Sequence, residues 1–164
     1  ALYALAFAIE RPGQVAALVL LAPRLDPRFQ APKPSGGLLA RFKKQSPETP
    51  GALGIDPAAL SRDPSQQAAW RTDELVHDVI TLGAREQVLE LAGSHPPRLA
   101  SAGVPMLVLH GAEDAIASPE ASRALAAAGA EVRIKDGLRH DLLHEPEGRE
   151  IAGEMLAWIG AAVS

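Results

Sequence analysis

Eight consecutive apolar residues, Val15-Ala16-Ala17-Leu18-Val19-Leu20-Leu21-Ala22, constrain this chain more than any other feature. A half-buried strand alternates apolar and polar residues. An uninterrupted apolar run reads instead as a strand covered on both faces, the environment of a parallel sheet packed between helices. The run is far shorter than the roughly 20 residues needed to span a bilayer. It follows a helical stretch, Ala1 to Ile9, in which Leu2, Leu5, Phe7 and Ile9 stand among alanines. That helix stops at Arg11-Pro12-Gly13, where Pro12 cannot continue it and Gly13 turns the chain. Two more strands are expected, Val104 to His110 and Glu131 to Lys135. Three parallel strands make a thin sheet for so apolar a centre, and nothing at Ala1 signals a helix start. The expectation is therefore that a larger α/β domain begins upstream and that these 164 residues hold its C-terminal part.

Between the first two strands, residues 23–103 show no convincing strand. They contain two Pro/Gly-rich stretches, Pro23 to Gly37 and Ser46 to Pro57, and short helical pieces. Asp63-Pro64 reads as an N-cap followed by proline at the first helical position, opening a helix through Trp70. Ala84 to Leu91 is a second, amphipathic piece. Beyond residue 103 the order is regular: a strand, a helix from Pro119 to Ala128 capped by Ser118 and stopped by Gly129, a strand, and a last helix from Pro146 to Ala162. In that helix Ile151, Met155, Leu156, Trp158 and Ile159 are expected to form one core-facing stripe. The expected class is α/β, a mostly parallel sheet with flanking helices and right-handed crossovers. Residues 1–23 and 104–164 form its core, and 24–103 a helical cap or lid insertion. Cysteine is absent, which excludes disulfides, thiolate metal sites and a cysteine nucleophile. With 16 Lys plus Arg against 20 Asp plus Glu, the net charge of −4 argues against a nucleic-acid partner.

In open α/β sheets, chemistry collects at the carboxyl ends of the strands. One such loop is Gly111-Ala112-Glu113-Asp114-Ala115-Ile116, and the next is Asp136-Gly137-Leu138-Arg139-His140-Asp141. A carboxylate on the first could fix the tautomer of a histidine on the second and stabilise its protonated form. Either Glu113 or Asp114 could supply it, with the Gly-x-x-Asp pattern favouring Asp114; His140 is the candidate base, with a solvated loop histidine as its plainer reading. Such a pair needs a nucleophile from an earlier strand–helix turn, and the order nucleophile, acid, histidine is that of the α/β-hydrolases. His110 is expected to be structural, His77 to be packed or exposed, and Asp141 and Glu145 to be solvated. His140-Asp141-Leu142-Leu143-His144 approximates the His-Glu-x-x-His zinc motif. That motif works only on a helix, and Pro146 would clash with the Leu142 carbonyl there, so no metal is expected.

Four stretches carry a family resemblance: Ala4 to Pro23 (ALAFAIERPGQVAALVLLAP), Leu60 to His77 (LSRDPSQQAAWRTDELVH), Val104 to Glu120 (VPMLVLHGAEDAIASPE) and Gly137 to Glu147 (GLRHDLLHEPE). Together they resemble the C-terminal part of an α/β-hydrolase of the monoacylglycerol lipase and lysophospholipase group. The resemblance implies an α/β-hydrolase fold, with Asp114 as triad acid and His140 as triad base. It also implies a serine in a Gly-x-Ser-x-Gly elbow a few residues before Ala1, an acyl-enzyme, no cofactor, and lipid-like carboxylic esters such as monoacylglycerols or lysophospholipids as substrates. No Gly-x-Ser-x-Gly occurs in these residues, so none of the nine serines is an elbow nucleophile. The oxyanion hole is missing too, and His144 stands where many relatives carry Asn. Two rivals follow: an Asp nucleophile, giving a dehalogenase or epoxide hydrolase, and a non-catalytic α/β binding module. Gly37 to Gln45 (GLLARFKKQ) is cationic and amphipathic, suited either to a lipid interface or to closing over the sheet. The expected location is the cytoplasm or the periphery of a membrane. The 164 residues alone are expected to be inactive and poorly stable.

Overall fold

The computed structural model describes residues 1–25 and 46–164. The cationic stretch Gly37 to Gln45 lies outside the described residues. Helix α1 (Leu2–Glu10) leads into strand β1 (Leu18–Leu21). Residues 46–103 form β2 (Pro50–Ala52), α2 (Pro57–Leu60), α3 (Pro64–Thr72), β3 (Val79–Thr81), α4 (Leu82–Ser94) and a 3-10 segment, Pro96–Ala102. The chain then follows β4 (Met106–Gly111), α5 (Pro119–Arg123) with a 3-10 continuation to Ala128, β5 (Glu131–Lys135), a 3-10 turn at Leu142–His144, and α6 (Gly148–Ala162).

The principal sheet is parallel, in the order β1-β4-β5. Leu18 to Leu21 face Met106 to Leu109, and Leu107 to Gly111 face Glu131 to Lys135. Central β4 is buried along its whole length. Its alternate residues feed two cores. Met106 and Val108 join Leu2, Leu5 and Ile9 of α1 with Leu18 and Leu20. Leu107 and Leu109 join Leu138, Leu142 and Ile151 on the other face. Apolar residues on both sides of one strand are what a helix-covered parallel sheet requires.

The expected caps form. The Asp63 side chain accepts from Ser65 N, and Ser118 accepts from Ala121 N. Gly129 ends the α5 continuation with a φ of +94°, a left-handed conformation that costs glycine little. Four expectations need correction. The apolar run pairs only over Leu18–Leu21, and Val19 and Leu21 are half-buried, packed with Met155 and Trp158 around the cluster of Leu107, Leu109 and Ile151. Among the described residues β1 has β4 as its one sheet neighbour, so it lies at an edge of this sheet while β4 lies at its centre. Residues 23–103 do contain strands: β2 and β3 pair antiparallel, extended by Leu53 N to Asp78 O and Leu82 N to Thr49 O. Pro50-Gly51-Ala52 has turn composition and pairs only because the β-branched segment Val79-Ile80-Thr81 lies beside it. Helix α6 starts at Gly148, two residues later than expected, because Pro146 and Glu147 complete the preceding turn. Finally, Leu156 is 70% exposed. At 100° per residue it lies well off the line joining Ile151, Met155 and Trp158.

Candidate active site

Asp114 stands three residues beyond the end of β4, and His140 in the loop that follows β5. These strands are adjacent and parallel, so both loops leave the same edge of the sheet. The loops also touch directly: Glu113 N donates to Leu138 O at 2.9 Å, and Ala112 N to Lys135 O at 2.8 Å. Gly111 permits this approach, because a Cβ there would overlap the carbonyl oxygens of Leu138 and Arg139.

The structure brings the expected pair together. His140 Nδ1 lies 2.7 Å from Asp114 Oδ2. The Asp114 side chain is fully buried, whereas that of His140 is 25% exposed and accessible to a reactant. Asp114 Oδ1 accepts from the backbone N–H groups of Ile116 at 2.7 Å and Ala117 at 2.9 Å. Burial pushes the Asp114 carboxyl up. The contacts from His110, His140 and the Ala117 N–H outweigh it and hold the group well below the ordinary carboxylate range. An ionised carboxylate on Nδ1 fixes that nitrogen as the protonated one, leaving Nε2 as the lone-pair nitrogen. Glu113 is exposed and stands outside this arrangement.

Two residues that sequence reasoning set aside belong to this site. His110 is completely buried; its Nε2 lies 2.9 Å from Asp114 Oδ2, and its Nδ1 2.7 Å from Ser122 Oγ. Glu145, expected to be solvated, has a fully buried side chain. It accepts from Arg139 N at 2.6 Å, Arg62 N at 2.9 Å and Arg62 Nε at 3.2 Å. Around it Ser61 Oγ donates to His144 O, Asp141 N donates to Leu60 O, and Arg62 reaches Glu147. Glu145 thus ties the histidine loop to the segment between α2 and α3. The i,i+4 spacing of His110 and Asp114 was the available signal for the first; the second had none, since the Arg62 that covers it lies 83 residues away.

The remaining candidates separate. His77 is exposed. His144 bonds Asp141 at 2.9 Å while His140 bonds Asp114, and Leu142–His144 is a 3-10 turn rather than a helix, so the zinc-motif geometry does not form. Among the described residues, no group of three or more His, Asp or Glu could hold a metal ion. A hollow of about 250 Å³ opens beside the loop, lined by Leu60, Trp70, Val76, Asp141 and His144 among others. Among the described residues, no helix is long and apolar enough to cross a membrane.

A helix-flanked parallel sheet with an acid and a histidine at its carboxyl edge has the architecture of an α/β-hydrolase. The family described as Hydrolase_4, serine aminopeptidase S33, matches residues 1–147, and the chain belongs to it. A monoacylglycerol lipase from Mycolicibacterium smegmatis is 28% identical over 159 residues, covering 94% of this chain and 56% of that protein. The crystal structure of a monoacylglycerol lipase from Paleococcus ferrophilus superimposes with a TM-score of 0.78 at 26% identity, over 98% of this chain and 65% of that one. A soluble variant of monoglyceride lipase from Saccharomyces cerevisiae, in complex with a substrate analogue, gives the same TM-score at 15% identity, over 99% of this chain and 59% of that one, a likeness of fold. The chain thus spans between about half and two thirds of the length of these relatives.

Proposed function

We propose that this chain is the acid- and base-bearing part of a serine-dependent carboxylic ester hydrolase acting on lipid-like esters, monoacylglycerols or lysophospholipids. The observation that carries the reading is the buried Asp114 carboxylate on Nδ1 of a partly exposed His140, at the carboxyl edge of the sheet. His140 Nε2 takes the proton of a serine hydroxyl as that oxygen attacks the ester carbonyl, then returns it to the departing alcohol. Asp114 holds the ring and stabilises the imidazolium formed between those steps. Water, deprotonated by the same nitrogen, releases the acid from the acyl-enzyme. The serine and the oxyanion donors belong to residues preceding Ala1, in a Gly-x-Ser-x-Gly elbow running into α1. Residues 24–103 serve as the cap, and its cationic stretch Gly37 to Gln45 as a contact with lipid surfaces. The two lipase relatives near or above one quarter identity support the substrate class.

The test compares substrates on the full-length protein. Turnover of monoacylglycerols and of medium-chain p-nitrophenyl esters is expected to exceed that of aminoacyl anilides by at least about 100-fold in kcat/KM, the discrimination expected when a site complements one transition state over another. Cleavage confined to the aminoacyl anilides would overturn the ester assignment and leave a peptidase.

A further inference from the structure

The Asp114 carboxylate meets more donors than an acid serving one histidine needs. Its Oδ1 is taken by two backbone N–H groups, and its Oδ2 lies within 3 Å of two imidazoles, Nδ1 of His140 and Nε2 of His110. His110 and Ser122 are both fully buried and 2.7 Å apart, so neither reaches a substrate. The order of contacts is also reversed relative to a catalytic triad, since Nδ1 faces the serine and Nε2 the carboxylate. Ser122 is therefore not a hidden nucleophile.

Proton accounting assigns each role. An ionised carboxylate only accepts, so His110 Nε2 must carry hydrogen toward it. In the neutral ring Nδ1 is then the acceptor, and Ser122 Oγ donates to it. Nε2 lies 2.9 Å from Oδ2 but off the N–H axis, so among the described residues it makes no well-directed hydrogen bond, and the Asp114 carboxylate is the polar group it faces. Oδ2 is thus shared between two imidazoles, and its negative charge is divided between them.

We propose that His110 and Ser122 form a buried positioning pair for the Asp114–His140 couple, Ser122 fixing the His110 tautomer and His110 holding Oδ2 while drawing charge from it. The proposal deepens the hydrolase reading and rests on it for its catalytic meaning. Charge drawn toward His110 is charge withdrawn from the contact with His140, so removing the His110 N–H would strengthen the hold of Asp114 on the His140 imidazolium. The other ionisable groups around the couple are Glu145 with Arg62 and Arg139 beneath the loop, Asp141 with His144 beyond it, and Glu113 at its rim.

The test follows the ring of His140 by nuclear magnetic resonance in the full-length protein, across pH, in the parent and in His110→Gln, His110→Met and Ser122→Ala. Glutamine keeps an N–H donor near the position of Nε2; methionine fills similar space without one. In His110→Met the His140 titration is expected to move upward by about one pH unit, the scale on which one hydrogen bond shifts its partner. His110→Gln is expected to stay near the parent, and Ser122→Ala to fall between the two. The acidic limb of kcat/KM shifts in the same order. Unchanged His140 titrations in variants that retain the parent circular dichroism would overturn the proposal, making His110 a packing residue alone. If His110→Met fails to fold, Ser122→Ala decides: a titration identical to the parent overturns the proposal. Because the titration needs no turnover, an inactive parent would count against the hydrolase reading and not against this pair.

Discussion

Asp114→Asn lowers kcat/KM of the full-length protein by about four orders of magnitude, the loss seen where a triad acid is replaced by its amide, with little change in fold. The asymmetry comes from the two oxygens. Oδ1, which accepts from Ile116 and Ala117, survives as the amide oxygen and keeps the loop in place. At the other position an NH2 group faces His140 Nδ1. It donates where the carboxylate accepted, so the ring takes the opposite tautomer and Nε2 carries the proton it needs to accept. Steady-state kinetics with circular dichroism separates the effects: a folded variant within tenfold of the parent would mean that Asp114 does not serve His140. Acid stability carries a matching sign. The Asp114 carboxyl is depressed in the folded protein, so its contribution is fully present above the ordinary aspartate value of about 4 and is lost as the pH falls below it.

Glu145→Ala is expected to cost about 3 kcal/mol of folding stability and to depress activity beyond what that loss explains. Removing one member of a buried ion pair costs about 3–5 kcal/mol, because the partner is left uncompensated. Arg62 is 33% exposed and regains water, which places the cost at the low end. Part of the remainder falls on the N–H groups of Arg139 and Arg62, both of which lose their acceptor. Arg139 immediately precedes His140, so the base loses its anchor at the same time. Glu145→Gln retains the acceptor for Arg139 and is expected to recover much of the loss. Denaturant unfolding measures the first effect, and kcat at a temperature where all variants are folded measures the second. A stability change below about 1 kcal/mol for Glu145→Ala, the level of an exposed ion pair, would show that the latch contributes little.

The parts of this structure visible in the sequence are those written in local pattern. Apolar runs marked the first two parallel strands and the alternation of Val132 and Ile134 with charged residues marked the third, while Asp63, Ser118 and Gly129 marked helix ends through their own capping chemistry. Asp114 and His140 were visible because position relative to a strand end is itself a local property. What stayed hidden depends on residues distant in sequence. Glu145 reads as a loop carboxylate until Ser61 and Arg62, more than 80 residues earlier, close over it. His110 looks the same from sequence whether its ring serves the core or the site, and only the return of Asp114 toward the β4 end decides it. The short pairing of β2 with β3 was hidden for the same reason, since Pro50-Gly51-Ala52 has no strand character of its own.

The central claim is that Asp114 and His140 serve a serine that precedes this stretch of chain. Labelling the full-length protein with a fluorophosphonate and locating the adduct by peptide mass mapping tests it most directly. The account predicts a single modified serine on a peptide ending in or before the α1 sequence Leu2-Tyr3-Ala4, with labelling suppressed in His140→Ala. An adduct on one of the nine serines between Ala1 and Ser164, or undiminished labelling without His140, would contradict it.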